Sequence, residues 1–278
     1  SAMRVAAELD IPFLTLDAKD EYKKEVVDYM IEEYQAGQTP NPDVMCNRHV
    51  KFGIFKRFAI ENGADYVATG HYAQIKKNAQ GVFGLYAGAD KGKDQSYFLW
   101  TLTEDDLART LFPVGHLEKN EVRKIAKEAG LSTFDKKDSQ GLCFMGQVDV
   151  KEFLAHYIQK KKGEVVNEEG EVIGYHEGAV FYTIGERHGF MITEKTPNDA
   201  PYYVISKDLE KNILRVGHRE KKIEPHMSEV SVTRLNVISG HFPKEGDRVL
   251  VRMRYRQPLA QGMIKNMQEE KALVTFEE

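Results

Sequence analysis

Only two cysteines, Cys46 and Cys143, occur in 278 residues. That scarcity excludes a disulfide-stapled scaffold, and a reducing compartment would keep both as thiols unless they cycle during a reaction. No apolar run approaches the roughly 20 residues of a membrane span, and no signal peptide opens the chain, so a cytoplasmic protein is expected. Internal repeats and low-complexity segments are also missing. Positive charge is not in excess: 39 Lys and Arg against 43 Asp and Glu leave a formal charge of -4. An average of that sign does not point to a nucleic acid, but phosphate recognition needs only a local basic face. A phosphate-cradling loop is lacking too. Neither S-G-G-x-D-S nor G-x-x-x-x-G-K-[ST] is present, and Gly88 and Gly92 around Lys91 are too loosely spaced to replace them.

What is present divides by texture. Asp20 to Gln35 sets Tyr22, Val26, Tyr29, Met30 and Tyr34 at three- and four-residue spacings, a helix with one buried face that Gly37 should stop. Ile11 to Leu16 reads as a short buried strand, Val50 to Glu61 as a helix, and Ala64 to Thr69 as a strand delivering Gly70 and His71 at its end. That order predicts a parallel sheet with helices outside, where ligands sit at the carboxyl ends of the strands. Ala73 to Lys77 and Val82 to Tyr86 should form a hairpin, followed by helices from Thr103, over Glu118 to Ala129, and over Val150 to Gln159 with Asp149 as cap. Beyond Lys160 to Lys162 short strands take over: 163–166, 171–174, 179–184, 202–206 and 213–216, then 230–235, 248–256, 260–266 and 272–276. The predicted parts are 1–147, an α/β domain; 148–216, a small central α+β domain; and 217–278, part of a β-barrel.

Two segments carry the candidate chemistry. Thr39-Pro40-Asn41-Pro42-Asp43 should be stiff because each proline fixes its own φ and restricts the residue before it; Cys46 follows. Cys143 lies in the glycine-flanked stretch Gly141 to Gly146. Both are read as loops that meet. Arg48 and His49 beside one thiol, and Lys136 and Lys137 before the other, would favour thiolates, although a lone cysteine is more often inert packing. One C-x-x-H pair, Cys46 and His49, without a second tight pair does not make a zinc site, and no metal is expected. Along 248–256, Arg248, Arg252, Arg254 and Arg256 occupy even positions and Val249, Val251, Met253 and Tyr255 odd ones. A strand there would have one basic face, suited to phosphates and unstacked bases, or simply to solvent.

The wording of both cysteine segments, with Ala68-Thr69-Gly70-His71-Tyr72, Lys93-Asp94-Gln95 and Arg252-Met253-Arg254-Tyr255-Arg256-Gln257-Pro258 in the same order, resembles the tRNA-specific 2-thiouridylases. The resemblance runs through nearly the whole chain. It implies an adenine-nucleotide alpha hydrolase-like (ATP pyrophosphatase) fold with a parallel sheet, a small central domain and a β-barrel. It implies exchange of oxygen for sulfur on the wobble uridine of tRNA, with ATP and Mg2+ and a persulfide sulfur from a sulfur-carrier protein or cysteine desulfurase. By motif position, Cys143 matches the persulfide carrier and Cys46 its partner, the pair ending as a disulfide. Asn41, Pro42 and Asp43 match residues near the target base, Asp43 orienting or deprotonating the uridine. Gly70 matches a nucleotide contact, and His71, Lys93, Asp94, Gln95, Arg254 and Tyr255 match tRNA contacts.

Such proteins open with a strand and the S-G-G-x-D-S loop, whereas this chain opens at Ser1-Ala2-Met3, like a cloning remnant, and enters the pattern midway. Their barrel also has more strands, so the chain is expected to be shortened at both ends and poor at binding ATP. Two rivals follow: a tRNA-binding module without catalysis, and an ATP pyrophosphatase with an amide donor.

Overall fold

The structure is a computed structural model and describes residues 2–136, 149–193, 200–218, 228–268 and 270–276. The chain forms two compact units, one from 1–22, 43–139 and 227–278, the other from 23–42 and 140–226. Cys143 and the stretch around it lie outside the described residues, as do 219–227.

In the first unit, Ala2–Glu8 is a helix not expected from the sequence. Ile11 to Leu16, expected as a strand, is irregular, and Ile11, Phe13 and Leu14 are exposed. A strand needs a neighbour to take its backbone hydrogen bonds, and among the described residues no strand pairs with this segment. The parallel sheet consists of β1 (Val67–Ala68) beside β4 (Thr110–Leu111). Between them in sequence, β2 (Ala73–Lys77) and β3 (Phe83–Ala87) form the expected antiparallel hairpin, its turn closed by the Asn78 side chain accepting from the backbone N–H groups of Gln80 and Val82. Phe52, Ala73, Leu99, Leu102, Leu107 and Phe112 make the core beneath these elements. Gly115 is demanded by packing: a Cβ there would lie 1.7 Å from the carbonyl oxygen of Ala73 on β2.

The second unit holds a five-stranded sheet in the order β7-β6-β5-β9-β8, with β5 Gly163–Val166, β6 Val172–His176, β7 Met191–Ile192, β8 Tyr202–Asp208 and β9 Ile213–His218. The pairings are antiparallel except β5 with β9. Asp149 caps the helix Val150–Leu154 as expected, by accepting from the N–H groups of Lys151 and Glu152, but the helix stops well before Gln159. The expected strand over 179–184 is instead a 3₁₀ turn, Ala179–Phe181. Gly178 at φ 144° turns the chain, and Ala179 N–H donates to the Asn212 side chain rather than to a neighbouring strand. His176, 1% exposed, braces the same corner: Nδ1 accepts from Gly178 N–H, so Nε2 carries the proton toward Asn212 O at 3.1 Å.

Back in the first unit, β10 (Glu229–Thr233), β11 (Arg248–Val251), β12 (Ala260–Gln268) and β13 (Lys271–Phe276) form an antiparallel sheet in the order β10-β13-β12-β11. The expected strand 248–256 ends at Val251. Residues beyond it turn, with Arg254 N–H donating to Gln257 Oε1, Gln257 N–H to Arg254 O, and Arg256 at φ 65°. The alternating basic face therefore does not exist as such.

Candidate nucleotide and RNA site

Pro42 opens a helix that continues as Pro42–Met45, a π-helical stretch Cys46–Phe55, and Lys56–Glu61. Proline suits a first helical position because its missing N–H would have no partner there. The segment Asp43 to His49, read from sequence as a loop, is thus helical, and Cys46 sits on a helix at 1% exposure. Wide π turns are uncommon and occur at functional sites. Asp43, half-buried, Cys46 and Asn47 follow one another within about a turn. Asn47 is 2% exposed; its amide donates to Phe98 O at 3.0 Å and accepts from Lys51 Nζ at 3.0 Å. Asn47 and Lys51 were not singled out from sequence. The available signal was their four-residue spacing beside Cys46.

At the carboxyl end of β1, Gly70 is exposed, and a Cβ on it would meet nothing within 4 Å. This glycine is not required by packing, and the space beside it fits a ligand at a parallel-strand end. His71 turns inward. Its ring lies 5.9 Å from Phe52 and 5.8 Å from Phe112, with Nδ1 2.8 Å from Thr69 Oγ1. Burial, then the nearby Lys51 ammonium, pushes its pKa down to about 3, so the imidazole is neutral at physiological pH.

The Lys93-Asp94-Gln95 segment is anchored rather than loose. Asp94, 7% exposed, accepts through Oδ1 from Gly88 N and Ser96 N at 3.0 and 3.1 Å, and through Oδ2 from Ser96 Oγ at 3.1 Å and Arg252 Nη1 at 3.2 Å. Gln95 trades two bonds with Tyr72, its side chain accepting from Tyr72 N and its own N–H donating to Tyr72 O, both at 2.9 Å. Tyr97 donates to Met253 O at 3.0 Å, and the Tyr255 ring packs 4.5 Å from Phe98. Hence Lys93, Asp94 and Gln95 are brought together with Arg254 and Tyr255, while Arg254 stays exposed. Asn41 and Pro42 belong to the other unit, where Asn41 N lies 3.5 Å from the Tyr29 hydroxyl. Cys143 falls outside the described residues.

Residues 1–147 match the family described as "tRNA methyl transferase HUP domain", and 151–218 the one described as "tRNA methyl transferase PRC-barrel domain". The class is thus a nucleotide alpha hydrolase-like α/β domain joined to a barrel-like domain. Among curated relatives, the protein named tRNA-specific 2-thiouridylase MnmA from Enterococcus faecalis is 45% identical over 281 positions, covering 99% of this chain and 74% of its own. The Streptococcus thermophilus protein of that name is 43% identical with the same coverages. That of Lacticaseibacillus paracasei is 44% identical over 254 residues, 91% of this chain and 67% of its own. The chain belongs to the tRNA-specific 2-thiouridylase MnmA family. Among the described residues no helix is long and apolar enough to cross a membrane.

Proposed function

We propose that this protein replaces oxygen by sulfur at C2 of the wobble uridine of tRNA. The observation that carries the reading is the match over 99% of the chain to proteins named for that chemistry. The helix opening at Pro42 agrees with it, because it sets Asp43, Cys46 and Asn47 within about a turn. We assign the three parts 1–147, 148–216 and 217–278 to catalysis, a central domain and the RNA-gripping barrel. Asn41, Pro42 and Asp43 face the base, and Asp43 takes or orients the uridine N3 proton. Lys93, Gln95, Arg254 and Tyr255 hold the anticodon arm, while His71, packed between Phe52 and Phe112, holds the strand end in place.

ATP, with Mg2+, would adenylate the uridine O2 and release pyrophosphate, so that O2 can later leave as AMP. Gly70 has room beside it for the nucleotide, but the 278 residues carry no S-G-G-x-D-S to hold its phosphates. The thiols do the rest. The terminal sulfur of a Cys143 persulfide bonds to C2. The Cys46 thiolate then attacks Cys143 Sγ, the persulfide S–S bond breaks, and its electron pair stays on the sulfur left at C2 as the activated oxygen departs. A Cys46–Cys143 disulfide remains, to be reduced by an external dithiol; the sulfur comes from a carrier protein or desulfurase.

The test is mass spectrometry of the wobble nucleoside after incubating tRNA, ATP and a persulfide donor with the full-length protein. A gain of about 16 mass units is expected, lost in Cys46→Ser and Cys143→Ala while RNA binding persists. Sulfur incorporation that survives loss of both thiols would sink this reading. The second reading, a tRNA-binding module without turnover, predicts RNA binding and no mass gain in any variant.

A further inference from the structure

Asp94 stands in the segment matched to tRNA contacts, yet its surroundings leave it nothing to offer an RNA. A carboxylate accepts about four hydrogen bonds, and Asp94 already has four donors: Gly88 N, Ser96 N, Ser96 Oγ and Arg252 Nη1. Its side chain is 8% exposed, and its charge would repel a phosphate. Arg252, the second in the row of alternating arginines, is likewise withdrawn: its guanidinium points to Asp94 and its Nε is buried. The two segments are also tied by Tyr97 Oη to Met253 O and by Tyr255 against Phe98. The turn that follows is closed on itself by Arg254 and Gln257 and leaves Arg254 outside.

We propose that Asp94 and Arg252 form a partly buried ionic clasp that locks the Lys93–Gln95 segment to the Arg254–Tyr255 turn, making both one RNA-binding surface without touching RNA themselves. They are positioning residues. A charged pair whose carboxylate is buried and whose guanidinium is only a quarter exposed is directional, and Arg in particular fixes a carboxylate's geometry. With the clasp closed, Lys93 and Arg254 are held at a set spacing and the ordering cost of binding is already met. With it open, either segment must be ordered by the RNA. The proposal rests on the reading of these segments as RNA contacts, but not on thiolation.

The test is a double-mutant cycle on the dissociation constant of a fluorescein-labelled anticodon-arm RNA with uridine at the wobble position. Asp94→Asn and Arg252→Met should each weaken binding about tenfold, and the double variant no further, because each alone opens the same clasp. Arg252→Lys, which keeps a charged donor, should recover most of the affinity, and Tyr97→Phe should weaken binding in the parent but not in Asp94→Asn. Tyr97→Phe removes a single hydroxyl and keeps the question answerable should the charge variants not fold. Additive losses, tighter binding by Asp94→Asn, or unchanged affinity in the single variants would overturn the proposal; additivity with a lowered salt dependence for Arg252→Met alone would make Arg252 a direct phosphate contact. RNA binding is read without turnover. A protein that binds but forms no thiouridine therefore fails the functional reading and leaves the clasp standing, whereas a protein that does not bind this RNA overturns both.

Discussion

His71 shows how far one side chain's role depends on what surrounds it. From sequence it is a polar residue at a strand end; in the fold it is packed between Phe52 and Phe112, with its pKa pushed down to about 3 by burial and by Lys51. Since the folded state refuses a proton that the unfolded chain accepts below about pH 6.5, stability is fully present above that value. It is lost as pH falls toward about 3. Chemical denaturation at pH 7 and pH 4 should show the parent losing on the order of 3 kcal/mol more than His71→Gln between the two conditions. Equal losses would mean the imidazole is not excluded from protonation. Asn47 is the companion case. Asn47→Ala strands the Phe98 carbonyl and the Lys51 ammonium, and should cost about 1–3 kcal/mol in the same assay. Each environment is only partly local: Lys51 and Thr69 are near neighbours in sequence, but Phe98, Phe52 and Phe112 come from farther along the chain.

Elements were legible where their signals are local. The β2–β3 hairpin follows from alternation around Asn78, and the helix Glu104–Ala108 from Thr103, whose hydroxyl accepts from Asp106 N–H while the Asp106 carboxylate accepts from Thr103 N–H. Thr103→Ala should therefore lower stability by about 1 kcal/mol, measured by thermal melting. Legibility failed where an element depends on a partner or a distant charge. Ile11 to Leu16 has strand composition but no neighbouring strand among the described residues; 248–256 alternates well, but Arg252 is drawn off to Asp94 and Arg256 takes a positive φ. The segment Thr39 to Asp43 reads as a stiff loop, yet Pro42 is the first residue of a helix. Prolines allow both, and the structure chooses.

On the scale of the whole molecule, a formal charge of -4 and an RNA partner are compatible only if few phosphates are met, at one place. Lys93 and Arg254 then dominate the salt response. Replacing either by Met should reduce the slope of log K against log salt by about 0.7, the value for one phosphate on a single strand. An unchanged slope would move the RNA surface elsewhere. The candidate residues stand out in sequence as short wordings in a set order; the grouping of 94–98 with 252–255 does not, since no periodicity links positions so far apart.

Gly70 supplies a last tool. Its backbone has no need of glycine's freedom and nothing crowds the position where a methyl would go, so Gly70→Ala should fold and melt like the parent. Any loss of nucleotide affinity in that variant then measures the guest alone, with the host left undisturbed.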